Sequence, residues 1–386
     1  MHHTLHLSSV LLLGLASTVV AKAQTLAPDF VSAGYTLSDL GSITDLPTPY
    51  GGLTIRTDEP NTLYIGGSAN APSGAVYTVP LLRDPVTQAI TGFGGPAVLH
   101  ASAPNIDGGL SFTPEGTLMF TQYTPFTLNS IGQVLPDNSY VTTQLTSLGI
   151  AASVGSHAFV PAGYPGAGGL IIASYNGNVA YRVPFTVDAA GQYSFATPTA
   201  SVDVLNSATG PEGIAYVPFG SAGFFAPSMV VSAYGMNKVV VFEIDPDGLP
   251  IPATVRDMVT GLVGAEGAWI DPLTGDFLFS TFGGSNRVIK VSGFELPTAI
   301  ETNNALNDGS LSVFPNPSNG SFQLAFAGAT DIVHVDVIDP MGALVHSKTL
   351  PPGELHALDL SGQAPGVYAI HARCAGRRSV QRVVLE

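Results

Sequence analysis

Apolar residues in this chain occur in short runs broken by turn-forming residues, and no run keeps the spacing of a long amphipathic helix. One pattern recurs, in which a glycine is followed by an aliphatic, a small and a bulky residue. It begins at Gly52, Gly109, Gly213 and Gly267, although Trp269 takes the place of the small residue in the last of these, and a degraded copy begins at Ser156. Successive starts lie 57, 47, 57 and 54 residues apart, which predicts a structural repeat.

Each start is followed by a turn and a second apolar strand. These second strands are TLYIGG from Thr62, TLMFTQ from Thr117, GLIIAS from Gly169, SMVVSA from Ser228 and DFLFST from Asp276. Four of the repeats continue with a third strand of alternating pattern. These third strands are AVYTVPL from Ala75, NVAYRVPF from Asn178, KVVVFEI from Lys238 and RVIKVSGF from Arg287. Such a small sheet cannot bury both its faces alone, so the repeat predicts sheets packed around an axis, a β-propeller.

The expected fold class is all-β, with a five-bladed β-propeller followed by a small immunoglobulin-like β-sandwich. The last copy leaves room for three strands, so GYTLSDL from Gly34 is expected to add the fourth strand of the final blade and close the ring. A sixth blade, hidden within residues 29–46, is left open. A long β-sandwich or a β-helix is the alternative, although a β-helix has much shorter repeats.

Composition agrees with many short strands, because charged residues are 11% of the chain while it has 44 glycines and 30 prolines. The formal net charge of -15 argues against nucleic acid and anionic membranes as partners. Residues 24–297 hold 7 basic and 20 acidic residues, whereas residues 311–386 hold 5 and 6. The single cysteine, Cys374, cannot form an intrachain disulfide.

The first residues predict export. The apolar run Val10–Val20 suits the core of a secretory signal peptide and is too short to span a bilayer. Ala21-Lys22-Ala23 has the small-x-small pattern of a cleavage site. Residues 1–23 are therefore the expected signal peptide, Gln24 the expected mature start, and no transmembrane segment is expected. A buried N-terminal strand is the alternative.

The loops that precede the innermost strands of a propeller gather at one mouth of its central channel. The residues just before the repeat starts are Tyr50, Asp107, Glu212 and Glu266, and His157 lies within the third start. Three converging carboxylates would suit an oxygen-seeking ion such as Ca²⁺, or would raise one another's pKa and supply a general base. Asp107, Glu212 and Glu266 are the candidate metal ligands.

The spacing of these acids leaves an alternative open. Asp107 precedes its glycine by two residues, whereas Glu212 and Glu266 precede theirs by one. In a regular strand, a shift of one residue turns a side chain to the other face. The alternative is that the three carboxylates cap turns or lie solvated at the rim.

GPEGIAY from Gly210 and GGSNRVIKV from Gly283 resemble NHL-repeat propellers and the gluconolactonase-like lactonase family, over fragments of blades only. The resemblance implies a divalent metal held near the channel by carboxylate and amide oxygens. The chain has no Gly-x-Ser-x-Gly elbow, no His-Glu-x-x-His motif and no phosphate-binding glycine loop. Common hydrolase and nucleotide chemistries are therefore disfavoured.

Two functions remain for the propeller. In the first, it is a binding module for an extracellular glycan or protein, which contacts aromatic residues in the loops after the second strands. These residues are Tyr123, Tyr175, Tyr234 and Phe282. In the second, it is a metal-dependent lactonase-like or related hydrolase that uses the three carboxylates. The imperfect register of the carboxylates favours binding.

A second domain is predicted after a linker, residues 298–310, which has little apolar periodicity. Pro315-Asn316-Pro317 lacks two backbone donors and cannot continue a central strand, and Asn319-Gly320 is expected to supply the positive φ values of a tight turn. About seven short alternating strands within residues 311–386 then predict a small antiparallel sandwich.

Four motifs of this domain are, in chain order, Phe314-Pro315-Asn316-Pro317, Leu358-Asp359-Leu360, Pro365-Gly366-Val367-Tyr368 and Arg382-Val383-Val384. In these motifs and their order, the whole of residues 311–386 resembles the C-terminal sorting domain of type IX secretion substrates of Bacteroidota. The resemblance implies contact with the type IX secretion machinery, passage through the outer membrane, and release or surface attachment. An ordinary immunoglobulin-like adhesive module is the alternative. The expected sorting-signal residues are Pro315, Asn316, Pro317, Gly320, Gly342, Gly366 and Tyr368.

Overall fold

The computed structural model describes residues 24–123, 129–137, 139–284, 286–295, 311–326, 332–339, 344–351, 355–374 and 377–386. The predicted signal peptide, the predicted linker and Gly342 lie outside the described residues. Most regular structure in the described part is β, and none of the helices there is long and apolar enough to cross a membrane. The short helices are α1 (Pro28–Ser32) and the 3-10 turns Thr146–Leu148, Tyr234–Met236 and Pro252–Thr254.

The strands are numbered in chain order. The first eleven are β1 (Thr25–Leu26), β2 (Thr36–Gly41), β3 (Leu53–Ile55), β4 (Thr62–Gly67), β5 (Ala75–Arg83), β6 (Ile90–Phe93), β7 (Val98–Ser102), β8 (Ile106–Phe112), β9 (Leu118–Gln122), β10 (Ser130–Val134) and β11 (Tyr140–Gln144). The next thirteen are β12 (Val154–Phe159), β13 (Leu170–Ser174), β14 (Val179–Val183), β15 (Phe185–Val187), β16 (Tyr193–Phe195), β17 (Ala200–Asp203), β18 (Pro211–Tyr216), β19 (Ser228–Ala233), β20 (Lys238–Glu243), β21 (Arg256–Thr260), β22 (Ala265–Ile270), β23 (Phe277–Thr281) and β24 (Val288–Ser292). The last seven are β25 (Leu311–Phe314), β26 (Ser321–Phe326), β27 (Val333–Ile338), β28 (Leu344–Leu350), β29 (Leu355–Asp359), β30 (Gly366–Cys374) and β31 (Arg377–Leu385).

In the described part of residues 24–295, the strands form five main antiparallel sheets, the first to the fifth in the order of their innermost strands β3, β8, β12, β18 and β22. From the innermost strand outward, the orders are β3-β4-β5-β7, β8-β9-β10-β11, β12-β13-β14-β17, β18-β19-β20-β21-β1 and β22-β23-β24-β2. Each innermost strand contacts the next, and β22 contacts β3, so the sheets close into a ring. This is the arrangement of the predicted β-propeller.

A buried apolar cluster fills each space between neighbouring sheets. Val76 of the first sheet and Phe120 of the second share one cluster, and Leu53 of the first sheet and Leu278 of the fifth share another. Both faces of each sheet are therefore covered. The second strands are buried along almost their whole length for this reason, as their continuous apolar runs predicted.

The N-terminal residues complete two sheets. The strand predicted to close the ring is β2, which pairs with β24 and places Leu37 opposite Val291, so this prediction is confirmed. Residues 29–46 form only α1 and β2 and contain no further sheet. The two-residue strand β1, which is too short to show a sequence pattern, adds to the fourth sheet with Thr25 opposite Thr260.

A buried ion pair fastens the first sheet to the fifth. Arg83 Nη1 and Nη2, at the end of β5, donate to Asp271 Oδ2 and Oδ1 at 2.7 and 2.9 Å. The two side chains are 6% and 0% exposed. We call this pair the ring clasp, because it lies between the sheets where the chain closes the ring.

The C-terminal domain is a sandwich of two sheets, β25-β26-β29 and β28-β27-β30-β31, around one apolar core. Its seven described strands match the expected number. Pro315 and Pro317 have no backbone N–H to pair with a neighbouring strand, and the Asn316 side chain makes the hydrogen bonds to β31 instead. Its Nδ2 donates to the Arg382 carbonyl at 2.7 Å, and its Oδ1 accepts from the Val384 N–H at 2.9 Å. The tripeptide is thereby held against the edge of β31.

Three other residues of the expected sorting signal have structural roles. Gly320 has a φ of 101°, and a Cβ there would lie 2.5 Å from Ser361 Cα, so only glycine fits. Asn319 does not share the positive φ, so the expected turn was wrong at that residue. The Tyr368 hydroxyl donates to the Ala364 carbonyl at 2.7 Å. Gly366 begins β30.

We expect Asp271→Asn to lower the free energy of unfolding by about 3 kcal/mol, because the Arg83 guanidinium would stay buried without its partner. Urea unfolding followed by the fluorescence of Trp269, the single tryptophan, measures this loss. The control, Asp257→Asn, breaks an ion pair with Lys238 in which the aspartate is 42% exposed, and should cost less than about 1 kcal/mol. Equal losses in both variants would contradict the clasp.

Candidate functional site

The innermost strands begin irregularly at one end of the ring. In β18, Glu212 and Gly213 stand opposite a single residue of β19, because the register shifts between Pro211 and Ile214. A β22 bulge of the same kind puts Glu266 in the equivalent place. Bulges re-aim side chains, and here they turn both glutamates toward the axis of the ring.

The bulge in β8 is one residue longer. Asp107, Gly108 and Gly109 together stand opposite Thr121 of β9. Asp107 stands one residue farther from its repeat glycine than the two glutamates do from theirs. The additional bulged residue compensates for this difference, so that Asp107 takes the equivalent place. Glycine is needed in this stretch because a Cβ on Gly108 would lie 2.4 Å from Glu212 Oε2. The rule for a regular strand therefore does not apply, and the structure brings the three acids together.

We call Asp107, Glu212 and Glu266 the carboxylate cluster. One oxygen from each residue lies within 4.8 Å of the other two. The residues are 2%, 2% and 1% exposed, so the alternative of solvated rim acids is wrong. In the first and third sheets the equivalent repeat positions are Gly51 and Gly155, and a Cβ on Gly155 would lie 2.6 Å from Glu212 Oε2. Glycine there makes room for the glutamate.

Two oxygens of the carboxylate cluster, Glu212 Oε2 and Glu266 Oε1, are buried with no hydrogen-bond partner among the described residues. An ionised carboxylate in this condition costs several kcal/mol, because the protein does not replace the lost hydration. Three such groups within one cavity also repel one another. The cluster must therefore hold protons or a cation.

The pKa values of the three carboxyls agree with this conclusion, because all three are raised. Burial raises the pKa of Asp107 to about 7, against the opposing effect of hydrogen bonds to it, including one from the Gly108 N–H. Burial, and then the neighbouring Asp107 charge, raises the pKa of Glu212 and Glu266 well above the usual glutamate value. When no cation is bound, burial and mutual repulsion therefore favour the protonated forms of these carboxyls.

Asn70 is a member of the site that the sequence did not reveal. With its amide nitrogen turned toward the cluster, it donates to Asp107 Oδ1 at 3.1 Å and to the Ile106 carbonyl at 3.2 Å. It has a positive φ of 61°, which asparagine tolerates better than most residues. The sequence feature that could have identified Asn70 is its position in the loop after the second strand of the first sheet, since such loops lie at the mouth.

The other two residues considered at the mouth have different roles. His157 Nε2 lies 2.8 Å from Ser111 Oγ, its Nδ1 is buried without a described partner, and burial lowers its pKa to about 3. It is therefore neutral, and it is not one of the converging metal-ligand candidates. The Tyr50 hydroxyl accepts a hydrogen bond from the Ile43 N–H at 2.8 Å and supports the loop before β3.

Four aromatic residues open the loops after the second strands, as the sequence indicated. Three of them, Tyr175, Tyr234 and Phe282, form what we call the aromatic row. The ring centroids of Tyr175 and Tyr234 lie 5.7 Å apart and those of Tyr234 and Phe282 lie 6.2 Å apart, each pair at 68°. The fourth, Tyr123, makes no ring contact with the row in the described part of the chain.

The aromatic row lies at the same end of the ring as the carboxylate cluster. The backbone N–H groups of Tyr175 and Tyr234 donate to the carbonyls of Ser153 and Gly210, which immediately precede the innermost strands of their sheets. Burial, and then the charge of Glu212, raises the pKa of Tyr175 to about 12. The row stands beside a cluster that is closed to solvent.

Residues 312–386 match the family described as the secretion system C-terminal sorting domain. The match confirms the expected sorting domain. It indicates export to the cell surface or the extracellular space and interaction with the secretion machinery. A comparison with curated protein sequences finds no significant match.

Solved structures of low similarity were also found. The extracellular domain of a protein assigned as a hybrid two-component system of B. thetaiotaomicron is 12% identical, with a TM-score of 0.29 over 84% of this chain, which spans 42% of that domain's length. A protein assigned as a 6-phosphogluconolactonase from Bacteroides uniformis is 14% identical, with a TM-score of 0.36 over 81% of this chain and 89% of its own. Regucalcin, a calcium-binding protein from Agrobacterium tumefaciens, is 15% identical, with a TM-score of 0.35 over 68% and 97%. Similarity at this level carries no information about activity.

Without a bound cation, the free energy of unfolding should fall as the pH rises from about 4 to about 7. The cluster binds protons more tightly in the folded chain, so its contribution is complete below the ordinary carboxyl pKa and is lost as the pH rises through the folded pKa, about 7 for Asp107. Urea unfolding in EDTA across this range measures the slope. Glu212→Gln should flatten it, and Glu243→Gln, at an exposed position of β20, should not. Parallel slopes in both variants would contradict this account.

Proposed function

We propose that the mature protein is an extracellular five-bladed β-propeller delivered by a type IX sorting domain of the immunoglobulin-like sandwich class. The proposed domains are a signal peptide at residues 1–23, the propeller at 24–297, a linker at 298–310 and the sorting domain at 311–386. Five closed sheets in the described residues support the blade number. The family match at residues 312–386 supports the route.

For the propeller, we propose a binding module built around a Ca²⁺ ion in the carboxylate cluster. The observation that carries this proposal is the pair of buried, unpartnered oxygens on Glu212 and Glu266 beside Asp107. Carboxylate oxygens are the ligands that Ca²⁺ prefers, at about 2.3–2.6 Å. One oxygen from each of the three residues lies within 4.8 Å of the other two, so all three are close enough together to share one ion.

The ion would have a structural role. Asp107, Glu212 and Glu266 come from the second, fourth and fifth sheets, so one ion would link three sheets at the axis. A catalytic metal needs an open coordination position for substrate. These side chains are nearly inaccessible, which favours a structural ion beneath a binding surface over a catalytic centre. A glycan or protein ligand would contact the mouth beside the aromatic row.

The second candidate is a metal-dependent lactonase-like or related hydrolase. The observation in its favour is the raised pKa of the cluster carboxyls, since a carboxyl that titrates near neutral pH suits a general base. This candidate requires the residues that bury the carboxylates to move and admit substrate. Turnover of lactones or aryl esters that is lost in Glu212→Gln would favour it over the binding module.

We expect Ca²⁺ to raise the melting temperature of the mature chain above its value in EDTA. When free Ca²⁺ exceeds its dissociation constant about 100-fold, the gain is about 2.7 kcal/mol, or about 5–10 °C for a domain of this size. Differential scanning calorimetry measures the shift. Glu212→Gln should remove most of it, whereas Glu243→Gln should retain it. If Ca²⁺ does not change the melting temperature of the unmodified chain, the proposed ion site is refuted.

Deletion of residues 311–386 should leave the propeller in the periplasm, because the truncated chain lacks the surface that the export machinery recognises. Cell fractionation and immunoblotting in a host with a type IX system measure the distribution. As the reciprocal control, residues 298–386 fused to an unrelated periplasmic protein should carry it outside the cell. Efficient export of the truncated chain would contradict the role of this domain.

A further inference from the structure

Charge is distributed unevenly between the two ends of the ring. We define the mouth end as the loops that join the second strand of each sheet to the third and the fourth strand to the next sheet. These ten loops hold two charged residues, Asp45 and Arg287, and Arg287 is paired with Asp39. The loops at the opposite end, counted to β24, hold eleven charged residues, of which ten are acidic.

Amide side chains are distributed in the opposite way. Of the ten asparagines in residues 24–297, eight belong to the mouth-end loops. Among them, Asn176 and Asn237 are exposed and lie beside the aromatic row. The Tyr175 and Tyr234 hydroxyls, both half-buried, have no hydrogen-bond partner among the described residues. The mouth end therefore offers aromatic faces, amides and hydroxyls with almost no formal charge.

We propose that the mouth end binds an uncharged saccharide. The apolar C–H faces of a sugar ring would pack on the aromatic row, and its hydroxyls would bond the Asn176 and Asn237 amides and the two tyrosine hydroxyls. This inference names the ligand class for the binding module proposed above and rests on that function.

The charge pattern decides against other ligands. The described mouth-end loops have no unpaired cation, because Arg287 is paired with Asp39, so a uronate or sulfate group would find no opposite charge there to replace its hydration. Protein hot spots are enriched in tryptophan, tyrosine and arginine, and of these the mouth end presents only tyrosines free of ion pairs, whose rings also pack on sugar rings. The mouth-end loops contain no tryptophan, and their one arginine is ion-paired. A hydroxyl-rich neutral ligand fits this surface better than a protein.

Isothermal titration of the full mature chain with cellohexaose, maltohexaose, mannohexaose and hexagalacturonate tests the proposal. At least one neutral hexasaccharide should bind, and at least ten-fold more tightly than hexagalacturonate. Tyr234, which contacts both other rings of the row, is the residue to change, and Tyr234→Ala should weaken binding at least ten-fold. Phe225→Ala removes an aromatic ring that is 73% exposed in the loop between β18 and β19, at the opposite end, and should change the affinity less than two-fold.

Three outcomes would overturn the proposal: no binding to any neutral member, equal affinity for hexagalacturonate, or equal effects of Tyr234→Ala and Phe225→Ala. The calcium measurement separates this failure from that of the proposed ion site. If Ca²⁺ stabilises the chain and Glu212→Gln abolishes that effect while no sugar binds, only the ligand class is wrong. Tyr234→Ala should also keep the Ca²⁺ shift, which shows that the variant is folded.

Discussion

The structure depends on the closure of the ring of sheets. A sheet that is apolar on both faces can be buried only between two others, and five such sheets satisfy this condition when the last packs on the first. Closure brings the five innermost strands together around one axis. Any side chain at the start of an innermost strand is then removed from water by its neighbours, whatever its polarity.

That confinement explains the carboxylate cluster. On an open sheet, Asp107, Glu212 and Glu266 would be ordinary solvated acids. At the axis, one carboxylate oxygen of each lies within 4.8 Å of those of the other two. Burial and mutual repulsion raise their pKa values together, so the closed ring binds protons or a cation as a condition of its own stability. Ring closure is thus coupled, through one set of side chains, to the binding of protons or of a cation.

The repeat predicted the architecture well because it records an apolar pattern that every sheet must satisfy. Sheet order, the closing strand β2 and the mouth-end position of the three acids all follow from it. The convergence of the acids could not be decided from spacing, because bulge length is a backbone property that depends on packing against Thr121 and Glu212. Asn70 and the Arg83–Asp271 clasp were missed since their partners are distant in sequence.

The same geometry separates the two layers at the mouth end. The bulges place the carboxylates inward, at the starts of the innermost strands, while the loops after the second strands present Tyr175, Tyr234 and Phe282. Because every charge of the inner layer is buried, an ion bound there would not contact a ligand in the outer layer. Its charge would act on the two tyrosines through space, as the charge of Glu212 acts on Tyr175. Its position would act through the backbone, since the Tyr175 and Tyr234 N–H groups bond the residues just before the innermost strands. In the proposed binding module, the cation would hold the backbone beneath the aromatic rings, and the rings and amides would contact the ligand.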